Sequence, residues 1–393
     1  MSSRIYAELR GDRVIWMIFA LLALFSIIIS YSATGTLAFR NRNGDTTFFL
    51  LKQVGILGLG FVLAYICYLL HPKRYSKMAA TLLLISIPLL AYTLILGANI
   101  NDARRWVEVP FTGLTFQTSD FAEIALIIYL AKALSISEYI KDFNSAFLPI
   151  IVPVIIICGL ILPADLSTAG LIFTTAMLMM FIGRVDLKYI VLLIMCGIVL
   201  FAAMFILGQF FDVVRSDTWV KRVQEFMNNE DGGYQIQHSK MAIAAGGLVG
   251  IGPGNSIARN YLPSAQSDCV FAIICEEYGL IGGFMVLSLY LLLLFRVARL
   301  VTVSSKGFGA MLALGLTLSI VIQAMANVAV TVHLVPVTGL TLPMVSYGGT
   351  SLIFTCISFG IILSVSKNIQ KITEPEPVDE GFEQQGGGGG KRR

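Results

Sequence analysis

The chain has 393 residues, of which 56% are hydrophobic and only 13% are charged, and its mean hydropathy is +0.80. Soluble domains carry about 25% charged residues, so this sequence has too few charges to cover a water-exposed surface. The composition excludes intrinsic disorder, a secreted disulfide scaffold and a nucleic-acid-binding domain. The net charge of +4 says little by itself about partners. The composition predicts an all-α polytopic membrane protein.

Apolar runs long enough to cross a bilayer recur along the chain, since a membrane-spanning helix needs about 20 predominantly apolar residues. Ten such runs are the predicted spans: 14–34, 48–70, 79–97, 118–136, 146–162, 166–183, 189–211, 269–295, 308–330 and 346–366. An even number of spans places both ends of the membrane domain on the same side. Lys and Arg concentrate at the span ends that would then face the cytoplasm, so the positive-inside rule predicts an N-in, C-in orientation.

Two segments between the predicted spans are unusually polar for this chain. They are the loop over 98–117 and the long loop over 212–267, which joins the seventh and eighth spans. Both are extracytoplasmic in the predicted orientation, and long ordered loops are where function concentrates. The transmembrane domain is predicted over 1–372. Residues 373–393, which are acidic and then glycine-rich, are predicted to form a disordered cytoplasmic tail.

Asp268 is the sharpest candidate for chemistry, because it stands where the long loop becomes the eighth span. A helix N-terminus favours the ionised carboxylate, whereas partial burial opposes it. A carboxylate balanced in this way can serve as a general base near neutral pH. The alternative is simple N-capping of the eighth span by Ser267 or Asp268.

Four further acidic residues lie in or beside apolar segments, where ionisable groups are costly and are candidates for function. Glu276 and Glu277 lie about two turns deeper in the eighth span, and their alternative role is hydrogen bonding to neighbouring helices. Asp165, between the fifth and sixth spans, either caps the sixth span or lines a cavity. Asp120 stands in the first turn of the fourth span, where an acidic residue also simply complements the helix dipole.

Basic residues on the predicted outer side point to an anionic ligand. Arg104 and Arg105 directly precede Trp106 ahead of the fourth span, and Lys240 lies within the long loop. Guanidinium and ammonium groups at the membrane surface suit a phosphate or a pyrophosphate. For the Arg-Arg-Trp run the alternative is anchoring to lipid headgroups.

Taken together, ordered blocks across residues 10–370 resemble the SEDS family (shape, elongation, division and sporulation) of peptidoglycan glycosyltransferases. The blocks are Arg104–Trp106, Phe116–Asp120, Tyr234–Lys240, Ala244–Gly247, Leu262–Asp268, Phe271–Ala272, Glu276–Glu277, Pro336–Pro343 and Val345–Ser351. The Gly-Leu-Thr-Leu-Pro run at Gly339–Pro343 is more similar to the division branch of the family than to its elongation branch.

The resemblance implies a multi-pass enzyme of the bacterial cytoplasmic membrane, acting at the division septum, that polymerises lipid II on the outer face. It implies that Asp268 is the general base that takes the proton of the acceptor sugar hydroxyl. The residues expected to bind the substrate and its pyrophosphate are Arg104, Arg105, Lys240, Trp106, Gln117 and Ser239. Supporting roles are expected for Asp165, Asp120, Glu276, Glu277, Pro336, Ser346, Gly348 and Gly349.

The resemblance also implies partners, namely a class B penicillin-binding transpeptidase and other division proteins. No cofactor is required by this chemistry, although a divalent Mg²⁺ or Mn²⁺ ion could assist the leaving pyrophosphate. The alternatives are a lipid II flippase or other transporter, an elongation-type polymerase, and a non-catalytic division scaffold. A transporter should carry its key charges near the membrane midplane. The candidates here lie at the outer ends of the spans, which favours the polymerase.

Overall fold

The computed structural model describes residues 11–42, 45–100, 103–108, 115–136, 147–208, 216–228, 233–303 and 307–373. Beyond its first residue, the predicted tail over 373–393 lies outside these ranges. Within them the chain is mostly helical, and its strands form a single small sheet.

Ten helices in the described residues coincide with the ten predicted spans. They are α1 (Arg13–Ala33), α3 (Thr46–Leu69), α4 (Pro72–Leu96), α5 (Thr118–Ile136), α6 (Val152–Ile161), α7 (Leu166–Ile182), α8 (Leu187–Gly208), α11 (Val270–Val303), α12 (Phe308–Thr331) and α13 (Thr350–Thr373). A π-helical turn, Phe147–Ile151, leads into α6. The predicted all-α polytopic membrane fold is thereby confirmed.

Three shorter helices lie between these spans. They are α2 (Gly35–Arg42), α9 (Ser216–Asn228) and α10 (Tyr234–Gly246), and a 3₁₀ turn follows at Ala258–Asn260. Two of the three helices, α9 and α10, lie in the segment predicted as the long extracytoplasmic loop. The long segment predicted between the seventh and eighth spans is therefore present, and it contains two short helices.

Seven of the ten helices are long and apolar enough to cross a membrane by length and composition alone. The other three are α5, which carries Asp120, Glu123 and Lys132, and the shorter apolar helices α6 and α7. Of the seven, α12 is the most enclosed, since 72% of its most apolar window is buried, against 11% for α8. The core is therefore built around α12, and α8 lies at the periphery.

Two span ends differ from the prediction for local reasons. The third span was predicted from residue 79, but α4 begins at Pro72, because proline suits the first helical position and His71 Nδ1 accepts a hydrogen bond from the Lys73 N–H (3.2 Å). The tenth span was predicted from residue 346, but α13 begins at Thr350. Ser346 belongs instead to a loop that contacts the segment before α11.

The eighth predicted span is interrupted, because the backbone of α11 leaves helical geometry at Gly279 (φ 68°, ψ −172°). The segment that follows α10 pairs with the backbone around this break. Ile251 N donates to Glu276 O (3.0 Å), and Leu280 N donates to Gly247 O (2.9 Å). Backbone groups at membrane depth must be paired within the protein. The glycine-rich segment 246–254 therefore supplies hydrogen-bond partners for backbone groups on both sides of the break.

A three-stranded antiparallel sheet precedes α5, in the order β1 (Ala98–Ile100), β2 (Ala103–Glu108) and β3 (Thr115–Gln117). Trp106 lies opposite Gln117 in the register between β2 and β3. The predicted loop over 98–117 is therefore ordered in its described part. The sheet directs Arg105, Trp106 and Gln117 toward the start of α7, where the candidate site lies.

Candidate active site

A cavity of about 580 Å³ lies where the sheet, the starts of α5 and α7, and the loops before α11 and α13 meet. Its volume is within the range typical of small-molecule sites. The structure brings eight of the predicted site residues into its described lining: Arg105, Trp106, Gln117, Asp120, Asp165, Asp268, Gly348 and Gly349. We call this space the central cavity.

The backbone of Asp268 is held in place by α12. Asn327 Nδ2 donates to the Asp268 carbonyl (2.8 Å) and also to the Leu340 carbonyl (2.7 Å). Asn327 thus ties the loop before α11 to the loop before α13. Gly339 lies beside the Asp268 side chain, since a Cβ there would be 3.6 Å from Oδ2, and its φ of +77° favours glycine. The carboxylate is therefore presented by two connected loops and not by a helix.

Ser346 supports the same pair of loops. Its Oγ donates to the Ser267 carbonyl (2.6 Å) and accepts from the Leu342 N–H (2.8 Å). One residue further on, Tyr347 N donates to the Gln266 carbonyl (2.8 Å). Because these bonds hold the two residues directly before Asp268, the loop before α13 positions the predicted general base. The sequence motif from Pro336 to Ser351 therefore has a structural role, because it holds the segment before α11 in place.

Asp268 lies two residues before Val270, the first residue of α11, and is only partly exposed. Desolvation raises its pKa from the ordinary value to about 6, and Asp165 nearby adds to the rise. A hydrogen bond from Ser267 and the positive charges of Arg222 and Arg105 act in the opposite direction. A carboxylate with a pKa near 6 is mainly ionised at neutral pH yet remains a useful proton acceptor.

Arg105 and Asp165 form an ion pair at the wall of the central cavity, with Nη1 and Oδ2 2.8 Å apart. Arg105 Nε also donates to the Ala164 carbonyl (3.0 Å). Asp165 caps α7 by accepting from the Thr168 N–H (3.1 Å) and from Thr168 Oγ1 (2.7 Å). The two alternatives left open for Asp165 are therefore both realised, because it caps α7 and lines the cavity.

Arg222, from α9, is a cavity residue that sequence reasoning missed. Its Nη1 donates to the carbonyls of Val337 (3.1 Å) and Thr338 (3.2 Å), and its charge acts on Asp268. The available signal was the periodicity of 216–228, which places Trp219, Val223 and other apolar residues on one side of a helix. That pattern predicts an amphipathic helix with Arg222 at the edge of its apolar side.

The start of α5 contributes polar groups to the cavity wall. Gln117 Nε2 donates to Ser119 Oγ (3.1 Å), and Asp120 lies in the lining close to them. Glu123, one turn further on, also lines the cavity and accepts a hydrogen bond from Ser319 of α12. Asp120 and Glu123 therefore line the cavity, and they also lie in the first turns of α5.

Three predicted substrate-binding residues have other placements. The side chain of Arg104 lies outside the described part of the structure, although its backbone is in β2 opposite Asn99. Ser239 and Lys240 lie in α10 and do not belong to the described lining of the central cavity. Ser239 is buried and its Oγ donates to the Gln235 carbonyl (2.9 Å). A role for these residues in binding substrate stays a prediction.

Glu276 and Glu277 are buried in the first half of α11, away from the described lining of the central cavity. Glu276 accepts from Ser256 Oγ and from the Ile257 N–H (3.1 Å), and Glu277 accepts from Ser32 Oγ. These bonds attach the segment after α10 to α11 and α1. The alternative of hydrogen bonding to neighbouring segments is therefore the one that the structure supports.

The described residues do not form a resident metal centre. No group of three or more His, Cys, Asp or Glu side chains with metal-binding proximity is present among them. Asp165, a cavity carboxylate, is already paired with Arg105. We therefore derive no step through a metal ion, and the divalent cation stays a prediction.

A cavity at one end of a ten-helix bundle, with a presented carboxylate and two guanidinium groups, defines a multi-pass membrane protein with an enzyme-like site. The chain belongs to the FtsW/RodA/SpoVE family, whose model, described as "Cell cycle protein", matches residues 12–371. The family expected from the sequence is thereby confirmed.

Two curated relatives show the extent of the match. A probable peptidoglycan glycosyltransferase FtsW from Trichlorobacter lovleyi is 32% identical over 91% of this chain and 94% of its own. The stage V sporulation protein E of Bacillus subtilis is 33% identical over 91% and 97%, respectively. The similarity therefore spans nearly the whole length of both proteins.

Solved structures have the same fold. A chain of a peptidoglycan synthase complex that coordinates polymerization and crosslinking superposes with a TM-score of 0.73 at 27% identity, over 92% of this chain and 99% of that one. The rod shape determining protein RodA of Thermus thermophilus superposes with a TM-score of 0.67 at 26% identity, over 91% and 97%.

Proposed function

We propose that this protein is a peptidoglycan glycosyltransferase that polymerises lipid II at the outer face of the cytoplasmic membrane, with Asp268 as the general base. The observation that carries the proposal is the placement of Asp268 in the central cavity, which Arg105 and Arg222 also line and where their positive charges act on the Asp268 carboxylate. The similarity to proteins named peptidoglycan glycosyltransferase supports it. Their names and the Gly339–Pro343 run favour the division branch, and hence a role at the septum.

The proposed reaction needs one carboxylate. The acceptor sugar hydroxyl attacks the anomeric carbon of the donor, and Asp268 takes the hydroxyl proton as the new glycosidic bond forms. The bond from the anomeric carbon to the pyrophosphate oxygen breaks, and the polyprenyl pyrophosphate leaves with the electron pair. This leaving group is a stable anion that needs no protonation, unlike the leaving alcohol in glycoside hydrolysis, where a second carboxyl group acts as the acid.

Stabilising the leaving group requires positive charge, and the arginines of the cavity supply it. Arg105 and Arg222 lie on the wall that also carries Thr338. Guanidinium groups bind phosphate oxygens through paired N–H donors, and they act more strongly in a cavity that is partly closed to water. Trp106 and Gln117 line the same cavity and are positioned to contact the sugars.

The structural neighbour taken from a peptidoglycan synthase complex supports a partner for this chain. We infer that the partner is a class B penicillin-binding transpeptidase, which would crosslink the strands made at the central cavity. Division proteins at the septum are further proposed partners.

Polymerisation of fluorescent lipid II by the purified full chain in liposomes, with and without the transpeptidase, tests the proposal. Wild type should make glycan chains, and Asp268→Ala and Asp268→Asn should lose at least about 100-fold in rate, since general-base catalysis contributes about 10²–10⁴-fold. Asp186→Asn, at an exposed carboxylate outside the cavity, is the matched control and should retain activity.

Two results would overturn the proposal. Equal rates for wild type and both Asp268 variants would exclude the general-base role. Transfer of labelled lipid II across the liposome membrane without any polymer would favour the transporter alternative.

A further inference from the structure

A second, smaller cavity adjoins the central one. It has a volume of about 230 Å³, and it shares Arg105, Asp165, Arg222 and Thr338 with the lining of the central cavity. The two guanidinium groups therefore stand on the boundary between two spaces. We call the smaller space the side cavity.

The side cavity differs from the central cavity in chemistry. Away from the shared residues its walls are mainly apolar: Leu166, Trp219, Val223, Pro336 and Val337. An apolar cavity of about 150 Å³ is already large enough to bind benzene. The side cavity is larger than that, so it can hold at least one branched hydrocarbon unit.

The side cavity adjoins an exposed apolar part of the protein surface. One wall is α9, an amphipathic helix with Val223 half-exposed and Met227 mostly exposed on its apolar side. Trp219 stacks on Phe201 of the apolar helix α8, with ring centroids 5.8 Å apart. Amphipathic helices of this kind lie in the membrane interface with the apolar side toward the acyl chains.

The polar, cationic and apolar linings of the two cavities follow one another in the same order as the groups of a polyprenyl-linked sugar. Moving outward from Asp268, the spaces present a polar cavity, then two arginines, then an apolar cavity. A polyprenyl-linked sugar has the same order: sugar, pyrophosphate, isoprenoid. We propose that the side cavity binds the isoprenoid units next to the pyrophosphate of the substrate, an inference that rests on the proposed function.

The proposal assigns a role to Arg222 and α9 that the sequence did not reveal. Arg222 and Arg105 would bind the pyrophosphate where the two cavities meet. Trp219 and Val223 would contact the first isoprenoid units. The substrate would then be fixed on both sides of the bond that breaks, which is the kind of positioning that accelerates group transfer.

Filling the side cavity tests the proposal. Val223→Trp should lower kcat/KM for polyprenyl-linked lipid II at least about tenfold, because one isoprenoid unit would lose its apolar site. Met227→Trp, one turn along the same side of α9 and outside the described lining, adds the same side chain to the membrane-facing surface and should stay within about twofold of wild type. Equal activity of the two variants would overturn the proposal.

A binding measurement on wild type separates this inference from the proposed function. The probe is geranylgeranyl pyrophosphate with a diazirine on the isoprenoid unit next to the pyrophosphate. After irradiation, labelled peptides should contain Leu166 or the segment 216–228. Excess unlabelled geranylgeranyl pyrophosphate should suppress the labelling, whereas geranylgeraniol at the same concentration should not.

Labelling confined to other parts of the chain, or equal suppression by the alcohol, would overturn the inference even if wild type polymerises lipid II. Labelling at these positions in a protein that makes no polymer would instead leave the subsite standing and contradict the proposed function. The two ideas therefore fail in different ways.

Discussion

The guanidinium group of Arg105 lies 2.8 Å from the carboxylate of Asp165, across a gap that separates β2 from the start of α7. This ion pair connects the small sheet to the helix bundle. Both of its residues line the central cavity and the side cavity. Because the side chain of Asp165 is only 6% exposed, it depends on this partner to offset the cost of its burial.

Arg105→Ala should destabilise the protein. Removing one partner of a buried ion pair leaves a buried charge without compensation, which costs about 3 kcal/mol. The melting temperature of the purified protein in detergent should fall accordingly. The control is Asp186→Asn, which breaks an exposed pair with Lys188 (3.4 Å) and should change stability little. Equal melting temperatures for the two variants would contradict the role given to the Arg105 pair.

The rate of polymerisation should depend on pH through Asp268. Its pKa is raised to about 6, and a general base works only when ionised, so the rate should fall as the pH drops through about 6. A profile of kcat/KM from pH 5 to pH 8, with the stability of the protein checked at each pH, measures this. A rate that is flat over this range would show that another group accepts the proton.

Arg222→Ala should change both binding and the pH profile. The positive charge of Arg222 lowers the pKa of Asp268, so its removal should raise that pKa and move the acid limb of the profile to higher pH. Loss of a charge-assisted contact to pyrophosphate should lower kcat/KM roughly tenfold. Lys221→Ala removes the same charge from an exposed neighbour in α9 and is the control. An unchanged limb in Arg222→Ala would exclude the electrostatic coupling.

Gly360→Ala should weaken the packing of α13 against α3. A Cβ at residue 360 would lie 2.3 Å from the Ala64 carbonyl oxygen, a backbone atom that cannot move aside. Overpacking of this kind costs about 1–3 kcal/mol. Gly58 lies in α3, and a Cβ at this residue would have no atom within 4 Å. Gly58→Ala should therefore be neutral or slightly stabilising. Thermal unfolding of both variants in detergent decides this, and an equal loss in both would contradict it.

The positions of the spans and the identity of the predicted general base follow from local rules. A bilayer requires about 20 apolar residues per helix and full pairing of the backbone, so each span is visible as a run in the sequence. Asp268 stands out for the same reason, as a carboxylate at the edge of such a run. Its selection as a candidate needed no knowledge of which helices are neighbours, whereas its placement in the central cavity depends on Asn327 of α12 and on the loop before α13.

The remaining features depend on which segments pack together. The charge of Arg222 acts on Asp268 only because Arg222 is bound to the Val337 and Thr338 carbonyls of the loop before α13. Lys240, equally basic and in the same predicted loop, lies outside the described cavity lining. The backbone groups near the break at Gly279 find hydrogen-bond partners about 30 positions earlier in the chain, at Gly247 and Ile251. Hydropathy carries no information on such pairings, because lipid solvates every apolar helix face about equally well and the neighbours are chosen by packing and hydrogen bonds between segments.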